Sequence, residues 1–213
     1  LEMLKNETDV EIIRDKMSNV STHVQHMQHL LGQLLDINKI EEGKMPVLKK
    51  AGTVNPLLWH MIHLFEPEMS DKDINFVYNL PKKKIQGYFD TDKIEKIISN
   101  LLSNALKFSK EGGIIEFNAD IDKDMLTIII KDNGIGIDKE HQEHVFDKFY
   151  RIPTSTDVKG SGLGLSFVKE LVQLLNGNIK LESKVNKGTK FVVTLPIERI
   201  EKYEKPVKKK TPV

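Results

Sequence analysis

Apolar residues near the start of the chain recur in alternating steps of three and four: Val10, Ile13, Met17, Val20, Val24, Met27, Leu31 and Leu34. This a/d heptad, sustained over about four heptads, predicts one long amphipathic helix. Leu30, Leu35, Ile37 and Ile40 widen the stripe, which favours a helical bundle over a two-stranded coil. Asp9 is placed to cap the helix and Gly43 to end it, with Pro46 just beyond. Leu1–Lys5 reads as the tail of an earlier helix and Asn6–Thr8 as a turn. Residues 1–45 are therefore expected to hold part of a helical hairpin, chiefly its second helix. One such helix cannot bury its own stripe, so a partner is required.

From Val47 the periodicity changes. Val47–Lys50 reads as a short strand, and Asn55–Glu68 as a helix capped by Asn55 with Pro56 at its first position. Ile74–Leu80 alternates as a strand; Tyr88 and Phe89 lead to Asp90, and Thr91–Ser109 predicts a strongly apolar helix. Ile114–Ile121 and Met125–Lys131 form a predicted hairpin turning at Asp122–Asp124. Asp138–Val145 reads as a short helix, and Phe146–Gly160 has no regular pattern. Gly162–Leu175 is a predicted helix stopped by Gly177, and Ile179–Ser183 with Lys190–Pro196 a last strand pair turning at Asn186–Gly188. Helices intermixed with locally paired strands predict an α/β sandwich with a mixed sheet rather than a doubly wound parallel one. Residues 46–200 are assigned to this domain, and the Lys- and Pro-rich 201–213 to a linker tail.

Composition narrows the chemistry. The chain has 213 residues, 32 Lys+Arg against 31 Asp+Glu, and no cysteine. A net charge of +1 gives no global attraction to nucleic acid or to an anionic membrane. Without Cys there are no disulfides, thiolate nucleophiles or Cys-ligated zinc. No apolar run approaches the ~20 residues of a membrane span, and no signal peptide is visible. Neither nucleic acid nor membrane contact is expected of this segment.

Four short constellations follow residue 90. In the first, Asn100, Asn104 and Lys107 share one face of an apolar helix that ends at Phe108. Carboxamide oxygens suit a hard cation such as Mg²⁺ and an ammonium suits phosphate, but a solvent-facing polar stripe explains the pattern equally well. In the second, Asp132-Asn133-Gly134-Ile135-Gly136-Ile137 follows a strand. A strand-end carboxylate can accept from an amino group, and glycines allow close approach to a planar ligand; the same residues make an ordinary turn. The third holds Phe146, Phe149, Tyr150 and Arg151. Two aromatics three apart could pin a loop to the domain body, with Arg151 aimed at a γ-phosphate. Two core aromatics and a solvated Arg form the simpler reading. In the fourth, Gly160-Ser161-Gly162-Leu163-Gly164-Leu165 opens a helix, a ready anion site that is neither a P-loop nor a Rossmann turn.

Taken in order, these segments resemble the N, G1, F and G2 boxes of the sensor histidine kinase catalytic domain, and Gly188-Thr189 resembles its short Gly-Thr motif. The resemblance covers Val47 to about Pro196. It implies the Bergerat (GHKL) ATP-binding sandwich shared with gyrase, Hsp90 and MutL, with ATP and Mg²⁺ as cofactors. Asn104 would ligate Mg²⁺; Asn100, Lys107 and Arg151 would be catalytic. Asp132 would receive the adenine amino group beside Phe108, Gly134, Gly136 and Ile137. Gly160, Ser161, Gly162, Leu163, Gly164 and Leu165 would wrap the triphosphate. Phe149 and Tyr150 would lie on an ATP lid running from Asp138 to Ser161, and Thr189 would complete the ATP site.

One departure from the superfamily is informative. Its ATP-hydrolysing members carry a water-activating Glu four residues before the Mg²⁺-binding Asn, where this chain has Asn100. A carboxamide is a poor general base, which favours phosphoryl transfer to a side chain over hydrolysis.

Residues 34–44 fit the end of the family's second dimerisation helix. In that family the phosphoacceptor His lies on the first helix and is followed by an acidic residue and, slightly later, Pro. None of the seven His residues fits: His23, His26, His29, His60, His63, His141 and His144 precede Val, Met, Leu, Met, Leu, Gln and Val. The acceptor is therefore expected upstream of Leu1. The segment should bind Mg-ATP without labelling itself, and should dimerise weakly because the hairpin is incomplete. The expected partners are the parent kinase dimer, through that hairpin, and a response regulator receiver domain. The expected location is the cytoplasmic part of a membrane-anchored receptor. A fused receiver domain after Val213 stays open. The alternative is a non-catalytic ATP-binding regulatory module. Trp59 reads as packing, and the Lys82–Lys84 and Lys208–Lys210 runs as solvated.

Overall fold

The computed structural model describes residues 30–84, 86–153 and 160–200, together with Lys16, Met17, Val20, Ser21, Val24, Met27 and Gln28. Asp9, Val10, Ile13, the expected first turn, His23, His26, His29 and the tail lie outside them. The chain divides into two compact units, Leu1–Met45 and Pro46–Val213.

The first unit ends in helix α1 (30–41), and the described positions before it are also helical. Gly43, at φ 65°, donates to Ile40 O (2.9 Å) while Lys44 donates to Lys39 O (2.8 Å). These are the two bonds of a Schellman stop, which needs a left-handed residue that glycine supplies without strain. Met17, Val20, Val24, Met27 and Leu31 are 44–69% exposed, so the heptad stripe lies uncovered.

The second unit is an α/β sandwich. Its elements are β1 (Lys50–Thr53), α2 (Val54–Asp71), β2 (Asn75–Asn79), β3 (Gln86–Phe89), α3 (Thr91–Phe108), β4 (Ile114–Asp122), β5 (Met125–Asp132), α4 (Lys139–Gln142), α5 (Gly164–Leu174), β6 (Asn178–Lys184), β7 (Gly188–Pro196) and β8 (Glu198–Arg199). Five strands form one sheet in the order β2-β4-β5-β7-β6, in which only β2 and β4 run parallel. The mixed sheet built on local hairpins is thus present. Register aligns Phe117 with Ile130 and Ile130 with Phe191, then Ala119 with Ile128 and Ile128 with Val193. These side chains are buried on one face. Against that layer α3 sets Ile94, Ile97, Ile98, Leu101, Leu102 and Ala105, a stripe of helical spacing, and packs between α2 and α5.

A second sheet, in the order β1-β3-β8, stands beside the mixed sheet that the hydrophobic pattern predicts. Its first strand sits at Lys50–Thr53 rather than Val47–Lys50, because antiparallel pairing with β3 selects it. Asn55 does not cap α2. The helix starts after Thr53, and the Asn55 amide donates to Pro81 O (2.7 Å). Pro56 is the third helical residue, still within the first turn, where N–H groups have no helical partner. At the end of α5, Asn176 (φ 57°) takes the left-handed position expected of Gly177. Gly177 is instead where a Cβ would meet Thr194 O and Leu195. Trp59 is not core: it is 41% exposed, stacked on His63 and edge-on to Tyr78. No helix among the described residues is long and apolar enough to cross a membrane.

Candidate functional site

Helix α3 is anchored at its start by Asp90, which is 3% exposed. One carboxylate oxygen accepts from the Lys93 N–H (3.2 Å); the other accepts from Lys93 Nζ and from the Leu48 N–H, both at 2.7 Å. Burial alone would raise its pKa, but the bonds from Lys93 and Leu48 outweigh it and hold the carboxyl below its ordinary value. This fixes the helix that carries Asn100, Asn104 and Lys107 along one half-buried face.

The glycine-rich turn before α5 lies against that face. A Cβ at Gly164 would stand 3.0 Å from Asn100 Oδ1 and 4.0 Å from Asn104 Nδ2, and one at Gly160 would collide with Lys107 Nζ. The Asn100 amide donates to Lys96 O (2.8 Å). Lys107 Nζ lies 5.0 Å above the Phe108 ring. Burial and the charge of Arg151 both push its pKa down. An anion beside Lys107 would oppose that shift. At the start of α5 no side chain caps the first turn, so its N–H groups also suit an anion. Ser161 Oγ accepts from Leu163 N–H (3.2 Å), and Leu163 is buried while Leu165 is half-buried.

On the other wall, Asp132 ends β5 and is 6% exposed. Its Oδ1 accepts from the N–H groups of Gly134 (2.9 Å) and Thr189 (3.2 Å). Burial pushes its pKa up, and those bonds oppose the rise without cancelling it. Close packing explains the glycines here. A Cβ at Gly134 would meet Phe108 O, at Gly136 Lys184 O, and at Gly188 Asp132 O. Ile135 donates to Phe108 O (3.3 Å) and Ile137 to Ser183 Oγ (2.8 Å), so the loop joins the end of α3 to the β6–β7 hairpin.

The third constellation divides. Phe146 packs edge-on against Phe191, while Phe149 is 60% exposed with φ 63°. Only the first therefore pins the loop to the body. The Phe149 N–H donates to Gly162 O (3.0 Å), and a Cβ on left-handed Gly162 would strike Phe149 and Tyr150, so this segment rests on the glycine turn. Residues 154–159 of the expected lid are outside the described set. Among the described residues no group of three or more His, Asp or Glu could hold a metal. Mg²⁺ takes hard oxygen ligands and keeps phosphates and waters around it, so a carboxamide oxygen such as that of Asn104 fits as one protein donor, in place of the more usual carboxylate. Ser183, His141 and Gln142 also join the site's framework, and no sequence motif had marked them.

A family of histidine kinase-, DNA gyrase B- and HSP90-like ATPases matches residues 89–199. The sensor protein kinase WalK of Staphylococcus aureus (strain MRSA252) is 34% identical over 197 residues, covering 91% of this chain and 32% of WalK. The chain spans about a third to a half of the length of such relatives. Among solved structures, the mycobacterial sensor histidine kinase MprB superposes with TM-score 0.60 at 25% identity, covering 71% of this chain and 99% of that one. Full-length ShkA in complex with AMPPNP gives TM-score 0.71 at 21% identity over 82% of this chain and 36% of that one, a likeness of fold. The chain belongs to the histidine kinase-, DNA gyrase B- and HSP90-like ATPase family and carries the ATP-binding catalytic domain of a sensor histidine kinase.

Proposed function

We propose that this domain transfers the γ-phosphoryl of Mg-ATP to a histidine on a helix upstream of Leu1, for relay to a response regulator receiver domain. The observation that carries the reading is the meeting of the Asn100/Asn104/Lys107 face with Gly160 and Gly164, next to a buried carboxylate at Asp132. Asp132 accepts the adenine amino group, with Phe108, Gly134, Gly136, Ile137 and Thr189 around it. Ser161, Gly162, Leu163 and Leu165 shape the turn that takes the triphosphate, with Phe149 and Tyr150 over it. Lys107 and Arg151 hold the γ-phosphate, and Asn104 would hold Mg²⁺. That ion would supply charge neutralisation on the β- and γ-phosphates. As the acceptor imidazole nitrogen forms its bond to phosphorus, the bond from phosphorus to the β–γ bridging oxygen breaks and ADP leaves. Asn100 cannot deprotonate water, so transfer outcompetes hydrolysis.

The uncovered stripe of Met17, Val20, Val24, Met27 and Leu31 supports pairing of the parent protein through the helical hairpin. We place this domain on the cytoplasmic side of a membrane-anchored receptor. The test is incubation with γ-labelled ATP, with and without a separate helical domain bearing the acceptor His. Acid-labile, base-stable label should form on the acceptor and none on this chain alone. Nucleotide binding with no transfer would instead mark a regulatory module.

A further inference from the structure

Helix α4 has four residues, yet it is tied down at both sides. The Gln142 amide donates to Ile137 O and to Ser183 O, both at 2.9 Å. Ser183 Oγ accepts from the Ile137 N–H, donates to Gly188 O (2.9 Å) and lies 3.0 Å from Thr189 Oγ1. Thr189 in turn donates its N–H to Asp132. Gln142 thus roots α4 in the network that fixes the Asp132 carboxylate.

The adjacent residue reaches toward the other wall. His141 Nδ1 is hydrogen-bonded to the Tyr150 hydroxyl at 2.7 Å. His144 packs on the same ring at 5.4 Å and is itself paired with Asp147. Tyr150 sits between Phe149 and Arg151. Phe149 keeps a left-handed backbone, which a non-glycine residue holds only when its surroundings impose it. Arg151 is the group whose charge reaches Lys107. The chain at this point is held by several contacts, among them Phe149 N–H on Gly162 O, Tyr150 N–H on Asp147 O (3.3 Å), the His144 ring and the bond from Tyr150 to His141.

We propose that His141 is a positioning residue: anchored through Gln142 to the wall around Asp132, it holds Tyr150 so that Arg151 meets the terminal phosphate beside Lys107. The inference rests on reading this cleft as the ATP site. It predicts that His141 matters to a ligand with a γ-phosphate and not to one without.

The test is calorimetric titration of the full chain with AMPPNP and with ADP, each with Mg²⁺. His141→Leu should weaken AMPPNP about threefold to tenfold and leave ADP unchanged, the loss typical of one hydrogen bond. Tyr150→Phe, which keeps the ring and so the packing, should lower the AMPPNP-to-ADP preference in the same sense. The double variant should be no weaker than either single one, since both remove one contact. His141→Asn, whose amide can occupy the Nδ1 position, should restore most of the loss, and Gln142→Leu should again lower the AMPPNP-to-ADP preference. An unchanged preference in folded His141→Leu and Tyr150→Phe, or additive losses in the double variant, would overturn the proposal. Failure of the parent chain to bind either nucleotide would instead overturn the ATP site itself.

Discussion

Burial lifts the Asp132 carboxyl above its ordinary acidity range, although Gly134 and Thr189 donate to it. The folded chain therefore holds that proton more tightly than the unfolded chain. The corresponding stability is fully present below the unfolded pKa and is lost as pH rises through the folded one. The ionised carboxyl is therefore a cost to the fold. Asp132→Asn retains the shape and an Oδ1 that can accept the same two N–H groups. Its melting temperature at pH 7 should equal or exceed that of the parent. Its affinity for ADP should fall tenfold or more, since a hydrogen bond to a charged group is worth about 1.5–3 kcal/mol. A lower melting temperature with intact affinity would contradict both expectations. At this scale the sequence was legible where a residue clashed with its surroundings: carboxamides on an apolar helix, glycines clustered at a helix start. His141, Gln142 and Ser183 gave no such signal. Gln142 meets Ser183 across 41 positions, and only the folded chain brings them together.

Helix α3 starts on a buried ion pair that also grips the chain before β1. Removing one side of such a pair strands the other, which costs about 3–5 kcal/mol. Asp90→Ala should lose about that much in urea denaturation at pH 7, because it leaves Lys93 unpaired and the helix uncapped. Lys93→Met should lose less, since the carboxylate keeps two N–H donors. Asp90 is held below its ordinary pKa, so its stabilisation is present above the unfolded value of 3.8 and disappears as pH falls through the folded one. The gap between parent and Asp90→Ala should therefore narrow on acidification. Equal losses for both variants would refute the asymmetry. Long periodic elements were readable to within a few residues, as with Thr91–Phe108 and the β4–β5 hairpin. Strands of four and two residues, β3 and β8, carry too little pattern, and β1 was misplaced because Val47 and Leu48 outweighed a pairing visible only in three dimensions.

At the scale of the molecule, the mixed sheet was predictable because its hairpins are local, whereas the parallel β2–β4 pair and the small second sheet depend on distant chain segments. The walls of the cleft likewise come from separated stretches: α3, the loop after β5, the turn before α5 and the start of β7. They stand together through the pairing of β5 with β4 and β7, so a nucleotide that needs all of them would bind the folded domain in preference to the unfolded chain. A ligand at a hundred times its dissociation constant then adds about 2.7 kcal/mol. Saturating Mg-ADP should raise the melting temperature and slow digestion of the second unit by a broad-specificity protease. An unmoved melting curve would contradict this. The consequence reaches beyond catalysis: a ligand taken only by the folded domain draws the folding equilibrium toward the native state, so occupancy of the cleft would set how often the second unit opens to proteases.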